Sequence, residues 1–328
     1  MPVPKKISRR VALAASIVVV LIAGATLLDL YSTKQTQSDV ENLWQEAKDY
    51  RDLGDFEPAM QVYNNVFGII SSDDFPREYG MNHYYRGKTY EEMASQANAS
   101  ANLQNSISSY TMASDFLTRE DNPAEFALLQ YGLGDSYLKL YEVNNRNEDL
   151  QAALLSYEES LNYFSIASNP MYYASINNKL GNAYRKKGMV QNDSLDLSNA
   201  VGFYDESLRV FRADVYPVEY AGVQNNLGNV YLELSGISDG KSNINKAIAA
   251  YENSLVVFTI DTRPMEYATV QNNLGNAYFE LSKLENKKSN TEKAVNAYHE
   301  SLKVFTADRF PVEHDGIMDN IINAYKNL

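Results

Sequence analysis

Apolar residues recur at steps of three and four along most of the chain. From Pro264 onward, Tyr267, Val270, Leu274, Tyr278 and Leu281 mark one stripe of a helix. A polar stretch over residues 282–289 follows, and a second stripe runs through Ala294, Tyr298, Ser301, Leu302 and Phe305. This pattern predicts two helices joined by a polar turn. Sustained two-residue alternation with hairpin turns, the mark of strands, is absent from the sequence.

The first 30 residues follow another rule. Lys5, Lys6, Arg9 and Arg10 precede an uncharged run over residues 11–28. As a helix this run measures roughly 27 Å, close to the thickness of a hydrocarbon core. Residues 1–10 are expected as a basic cytoplasmic flank, residues 11–30 as a transmembrane signal-anchor, and residues 31–37 as a linker. That orientation places the remainder outside the cytoplasm. A second reading is a signal peptide cut after Ala23-Gly24-Ala25, leaving a secreted or periplasmic protein. A buried core helix is a third, disfavoured because no apolar segment of similar character stands downstream.

The helix pattern repeats. Pro76, Pro123, Pro170, Pro217, Pro264 and Pro311 stand 47 residues apart. The same interval separates Gly87, Gly134, Gly181, Gly228 and Gly275, and also Tyr90, Tyr137, Tyr184, Tyr231, Tyr278 and Tyr325. A fixed period of this size implies stacked helical pairs, each too small to bury its own apolar face without its neighbours. Proline suits the first position of the leading helix, where its missing N–H has no partner to lose. Asn102, Asp149, Asp196, Asn243 and Asn290 share the spacing and are expected as N-caps of the second helices. The Asn-rich loops are read as helix-start punctuation in preference to calcium sites.

Leu227, Gly228, Tyr231, Ala247, Tyr251 and Leu255 resemble the tetratricopeptide (TPR) signature, and repeats three to six all show it. The first repeat is similar at the usual 34-residue length, with Ala47, Tyr50, Gly54, Ala59 and Tyr63 around a Gly54-Asp55-Phe56 turn. The second is weaker, because Arg86 stands where leucine is expected. Later repeats resemble the long TPR variety with an Asn-Asn-Leu-Gly-Asn core. The resemblance implies an all-α fold, a TPR-type α-solenoid built as a right-handed superhelix of antiparallel helix pairs, and the uncharged run at 11–28, which lies outside the resemblance, adds one transmembrane helix before it. The resemblance covers residues 38–328 as about six repeats plus a closing helix from Pro311 to about Asn327. Small residues at Gly228 and Ala247 let paired helices approach while tyrosines fill the space between repeats. Larger side chains there would overpack the stack by about 1–3 kcal/mol.

Positions two before and two after the signature leucine lie away from its stripe, one turn apart on a shared face. They carry Asn178 with Asn182, Asn225 with Asn229, and Asn272 with Asn276, and the closing helix adds Asn323. Toward the N-terminus Tyr84 with Lys88 and Tyr131 with Asp135 take these places. In TPR families this column lines the concave groove. An amide offers a donor and an acceptor, which suits an extended peptide backbone, and an exposed tyrosine suits a side-chain anchor. The competing reading is that the amides bond neighbour to neighbour inside the array and that the tyrosines pack on adjacent helices. A carboxylate clamp needs more basic groups than Lys88 and Lys179.

Composition narrows the classes further. The 328 residues contain no cysteine, which excludes disulfides, thiolate metal sites and cysteine nucleophiles. The formal charge is −13, and the +3 carried by residues 1–30 leaves −16 for the body, the wrong sign for nucleic acid. His83, His299 and His314 fall in different repeats with no nucleophile at a catalytic spacing, and no glycine cluster forms a phosphate loop. Asn98-Ala99-Ser100 and Asn192-Asp193-Ser194 are sequons in inter-helix loops, relevant where the host glycosylates exported proteins. Neither an enzyme nor a cofactor or metal is expected. The function expected is a membrane-anchored scaffold holding a protein or peptide partner in its groove. The alternative is a self-assembling component of a cell-envelope complex or filament.

Overall fold

The computed structural model describes the backbone of residues 9–327 and the side chains of residues 31–327. Among them are thirteen helices and no strand. They are α1 (Arg9–Asp52), α2 (Phe56–Ile69), α3 (Pro76–Met93), α4 (Ala99–Ser114), α5 (Pro123–Asn144), α6 (Asn147–Leu161) and α7 (Pro170–Gln191). Then come α8 (Ser194–Leu208), α9 (Pro217–Ser235), α10 (Gly240–Leu255), α11 (Pro264–Ser282), α12 (Lys287–Leu302) and α13 (Pro311–Lys326). Two compact units, Met1–Gly132 and Leu133–Leu328, divide the chain within α5.

The basic flank as far as residue 8 lies outside the described residues, as do the side chains of the expected anchor at 11–30. Residues 31–37 are not a linker: they continue α1 without a break into the first repeat, because nothing between them and Asp52 interrupts a helix. Among the described residues no helix is long and apolar enough to cross a membrane.

The six periodic prolines each open a helix, α3, α5, α7, α9, α11 and α13. The connection before each of them closes on itself. The N–H groups of Phe75, Asn122, Asn169, Tyr216, Arg263 and Phe310 donate to the carbonyl four residues earlier. The hydroxyls of Ser71, Thr118, Ser165 and Thr259 accept from the N–H three residues on. Such turns hold the chain at the angle from which proline starts a new helix.

The turn inside each pair uses a different device. Asn98, Asn145, Asn192, Asp239 and Asn286, 47 residues apart, adopt left-handed backbone with φ between 44° and 54°. Most residues pay about 1–2 kcal/mol there, whereas Asn and Asp tolerate it. This corrects the expected caps. Asn102, Asp149, Asp196, Asn243 and Asn290 stand four residues after the left-handed position, inside the first turn of the helix, too far in to cap it. Asn102, Asn243 and Asn290 act as donors, each 2.8 Å from the carbonyl of Ala97, Ser238 and Glu285. Asp149 and Asp196 instead pair with Arg146 at 3.2 Å and Lys187 at 2.9 Å. A side-chain cap occurs at α8, where Asp193 accepts from the Leu195 N–H at 2.8 Å.

The core runs between paired helices. Tyr63, Tyr110, Tyr157, Tyr204, Tyr251 and Tyr298 on the second helices are at most 1% exposed. From Tyr110 onward each ring lies against the periodic glycine of its first helix. A Cβ at Gly134 would stand 2.6 Å from Tyr157 Cδ1, so only glycine lets the helices close to this distance. Burying such a ring is worth about 2 kcal/mol. The first-helix tyrosines do the bridging between repeats. Tyr184 and Tyr278 donate to Glu158 at 3.0 Å and Glu252 at 3.1 Å on the preceding second helix. Burial, aided by those carboxylates, pushes both phenols up to about 12.

Candidate functional site

In the C-terminal unit the amide rows fall on one face of α7, α9, α11 and α13, and their oxygens are already engaged. Asn182, Asn229 and Asn276 accept from the hydroxyls of Tyr204, Tyr251 and Tyr298 at 2.7, 2.8 and 2.8 Å. Burial raises all three phenols, which therefore remain proton donors. Asn178 accepts from Asn226 at 3.2 Å, Asn225 from Asn273 at 3.1 Å, and Asn272 from Asn320 at 3.4 Å. Asn273 and Asn320 are shared, lying also 3.2 Å from Asn229 Oδ1 and 3.4 Å from Asn276 Oδ1. The rows thus do bond neighbour to neighbour, and the expectation of a free donor and a free acceptor on each amide is corrected. The side-chain nitrogens of Asn178, Asn182, Asn225, Asn229, Asn272 and Asn276 keep no hydrogen-bond partner among the described residues, and all six side chains are half-buried. What the face offers is a line of N–H donors.

Spacing could have revealed the inner row. Asn226, Asn273 and Asn320 are themselves 47 apart. From α7 to α13, successive first helices bond through residues 48 apart, one repeat plus one residue. The same offset joins Arg77 to Glu125 within the N-terminal unit and Arg185 to Glu233 within the C-terminal unit. Burial raises the Glu233 carboxyl even against Arg185. Lys186 pairs with Glu142 at 3.0 Å. Lys179 bonds Asp135 at 3.0 Å, and Asp135 also accepts from Tyr157 at 2.6 Å. Asp135 and Lys179 therefore serve the packing of α5, α6 and α7.

The remaining expected residues belong to the N-terminal unit. Tyr84 is half-buried, its ring 5.4 Å from Tyr85 and 5.6 Å from Tyr110, and so packs on adjacent aromatics. Tyr131 is half-buried and Lys88 exposed.

A cavity of about 370 Å³ opens beside the donor line, lined by Leu232, Asn276, Phe279, Glu280, Tyr298, Asn320 and Asn323. Asn276 and Asn323 are thereby brought together, with Asn323 exposed at the rim. Leu232 and Phe279, also 47 apart, add apolar walls that the amide pattern did not point to. An amide N–H beside an apolar wall suits a backbone carbonyl whose neighbouring side chain is apolar.

The histidines stay scattered. His83 is buried against Phe67 and Tyr79 at 4.7 and 5.2 Å, and burial pushes it down to about 4. His314 bonds its neighbour Asp315 at 3.1 Å. Among the described residues no group of three His, Asp or Glu is placed to hold a metal ion.

No protein-family model matches the chain, and no curated protein matches it. Solved structures do resemble it. BtubC from P. vanneervenii superposes with a TM-score of 0.52 at 16% identity, over 83% of this chain and 91% of that one. TTC0263, a thermophilic TPR protein of Thermus thermophilus, gives 0.46 at 18% identity over 72% and 99%. The S. pombe nuclear import adaptor Nro1 gives 0.46 at 14% over 89% and 99%. Likeness at such identities concerns the fold alone: an all-α array of helix pairs.

Proposed function

We propose that the protein is a non-catalytic interaction scaffold of the long, 47-residue TPR variety. The first-helix face of its C-terminal unit holds an extended segment of a partner protein. The supporting observation is the line of unpartnered amide N–H groups running into the cavity walled by Leu232 and Phe279. A donor line favours a ligand that presents carbonyls at regular intervals, as an extended peptide does. The acidic body favours a partner of basic or neutral surface.

The uncharged run at 11–28 and its basic flank support a single-pass anchor, with the N-terminus in the cytoplasm and the array outside it. Retention in membranes after alkaline carbonate extraction, with the array digested by protease added to intact cells, is the expected result. A soluble chain, or a protected array, overturns that placement.

The binding test uses a photo-crosslinking amino acid at Asn323, which takes no part in the amide ladder, and at Lys246 on α10 as a control. Irradiated cells should yield one partner adduct at 323 that is missing at 246 and lost when Leu232→Ala and Phe279→Ala are combined. The same adducts at both positions, or adducts indifferent to the double variant, refute the site.

A further inference from the structure

The outer face of α13 differs from that of every other first helix. At the place of the periodic glycine, 47 residues after Gly275, stands Ile322. In α11 a Cβ at Gly275 would already stand 2.6 Å from Tyr298 Cδ1. An isoleucine, with three more carbons, shuts out a second helix bearing that tyrosine. Yet the face is apolar and open: Met318, Ile322 and Tyr325 are 36%, 45% and 56% exposed. At 100° per residue they form one stripe about 60° wide. Such a stripe fits a helix packed at an ordinary interaxial separation, about 8–10 Å, side chain against side chain.

Its flank indicates the partner. Asp319 and Lys326, seven residues apart, lie together along one edge of the stripe, and neither has an ion-pair partner among the described residues. Asp315, nearby, is engaged by His314. An antiparallel copy of the same helix answers every element of this pattern. A two-fold axis beside Ile322 sets Ile322 against its own copy and Met318 against Tyr325 of the other chain. In that arrangement like flanks meet, and Asp319 faces Lys326 across the axis at both ends. A self-complementary surface of this kind generates closed dimers.

We infer that two copies of this chain associate through their α13 helices, antiparallel about a two-fold axis at Ile322. The chain contains no cysteine, so one introduced thiol reports one contact. With the full-length protein in density-matched detergent, mild oxidation should convert most of Ile322→Cys into a disulfide-linked dimer. Val312→Cys should give little, being 80% exposed on the same helix but about 80° round it and about 15 Å along it from Ile322, which sets its two copies about 30 Å apart in the dimer. Sedimentation should show a concentration-dependent dimer that Ile322→Glu shifts to monomer with unchanged helical circular dichroism. Lys326→Glu should raise the dissociation constant about tenfold, since two flanking pairs become repulsive, and adding Asp319→Lys should restore it. A monomer at all concentrations overturns the inference. So does a dimer indifferent to Ile322→Glu, equal crosslinking at 312 and 322, or failure of the charge exchange to rescue.

Discussion

Replacing Gly228 and, separately, Gly222 by alanine sets two effects of opposite sign inside one helix. Both glycines lie in α9. A methyl group at 222 meets nothing within 4 Å, whereas at 228 it stands 2.6 Å from Cδ1 and 2.7 Å from Cζ of Tyr251, and nearer still to Cε1. Carbon atoms in contact rest about 3.5–4.0 Å apart, so the ring has to retreat by about 1 Å. Tyr251 has no free side to move into, being fully buried with its hydroxyl held by Asn229 at 2.8 Å. Overpacking of this kind costs about 1–3 kcal/mol, and loss of the hydroxyl bond about 1 kcal/mol more. Alanine's better helix propensity offsets about 1 kcal/mol. Gly228→Ala should therefore destabilise by about 1–3 kcal/mol, while Gly222→Ala, with only the propensity gain, stabilises by about 1 kcal/mol. Urea unfolding followed by circular dichroism reads the sum. Hydrogen exchange of the α9 and α10 amides reads it locally, which matters where stability is distributed over stacked repeats. Shifts of the same sign in both variants would refute the close approach of glycine to tyrosine as the origin of the column.

Three other outcomes follow from particular contacts. His83 titrates near 4 in the native state, against about 6.5 unfolded, because burial and Arg86 disfavour its charge while Asp115 opposes them weakly. Its contribution is complete above about pH 6.5 and is lost as the pH falls toward 4, by about 3 kcal/mol in total. The fluorescence of Trp44, the single tryptophan and a member of the same unit, should report that loss, and His83→Leu should flatten the profile. At the left-handed turn residue Asp239, substitution by glycine should leave the unfolding midpoint nearly unchanged, whereas Asp239→Val should cost about 1–2 kcal/mol. Asn273→Ala removes two bonds of the amide ladder and should cost about 1–2 kcal/mol, while Asn323→Ala, outside the ladder, should stay within about 0.5 kcal/mol.

The positions of the helices were largely legible because proline and glycine act locally: Pro264 can only open α11, and Gly275 can only lie where something approaches closely. The turns were less so. Asparagine and aspartate serve equally as caps and as left-handed residues, so two columns of the same residue types, at 98 and at 102 and their repeats, cannot be told apart by type alone. The candidate site was legible as a face but not as a set of bonds. Helical spacing put Asn225 and Asn229 on one side of α9. Whether their oxygens meet a ligand, Tyr251 or Asn273 depends on how neighbouring helices are offset, and that offset of 48 residues is a property of the packing. The apolar walls at Leu232 and Phe279 escaped for the same reason, since each lies outside the buried stripe of its own helix.

The constant offset makes the repeats of the C-terminal unit interchangeable parts. Excising residues 217–263 as a block would bring α11 to the place of α9, with Asn273 meeting Asn178 as Asn226 does and Glu280 meeting Arg185 as Glu233 does. Leu274 and Val270 would replace Leu227 and Val223 like for like. A lineage can therefore shorten or lengthen this unit by whole 47-residue modules without inventing a new joint, and the reach of its binding face becomes a matter of copy number.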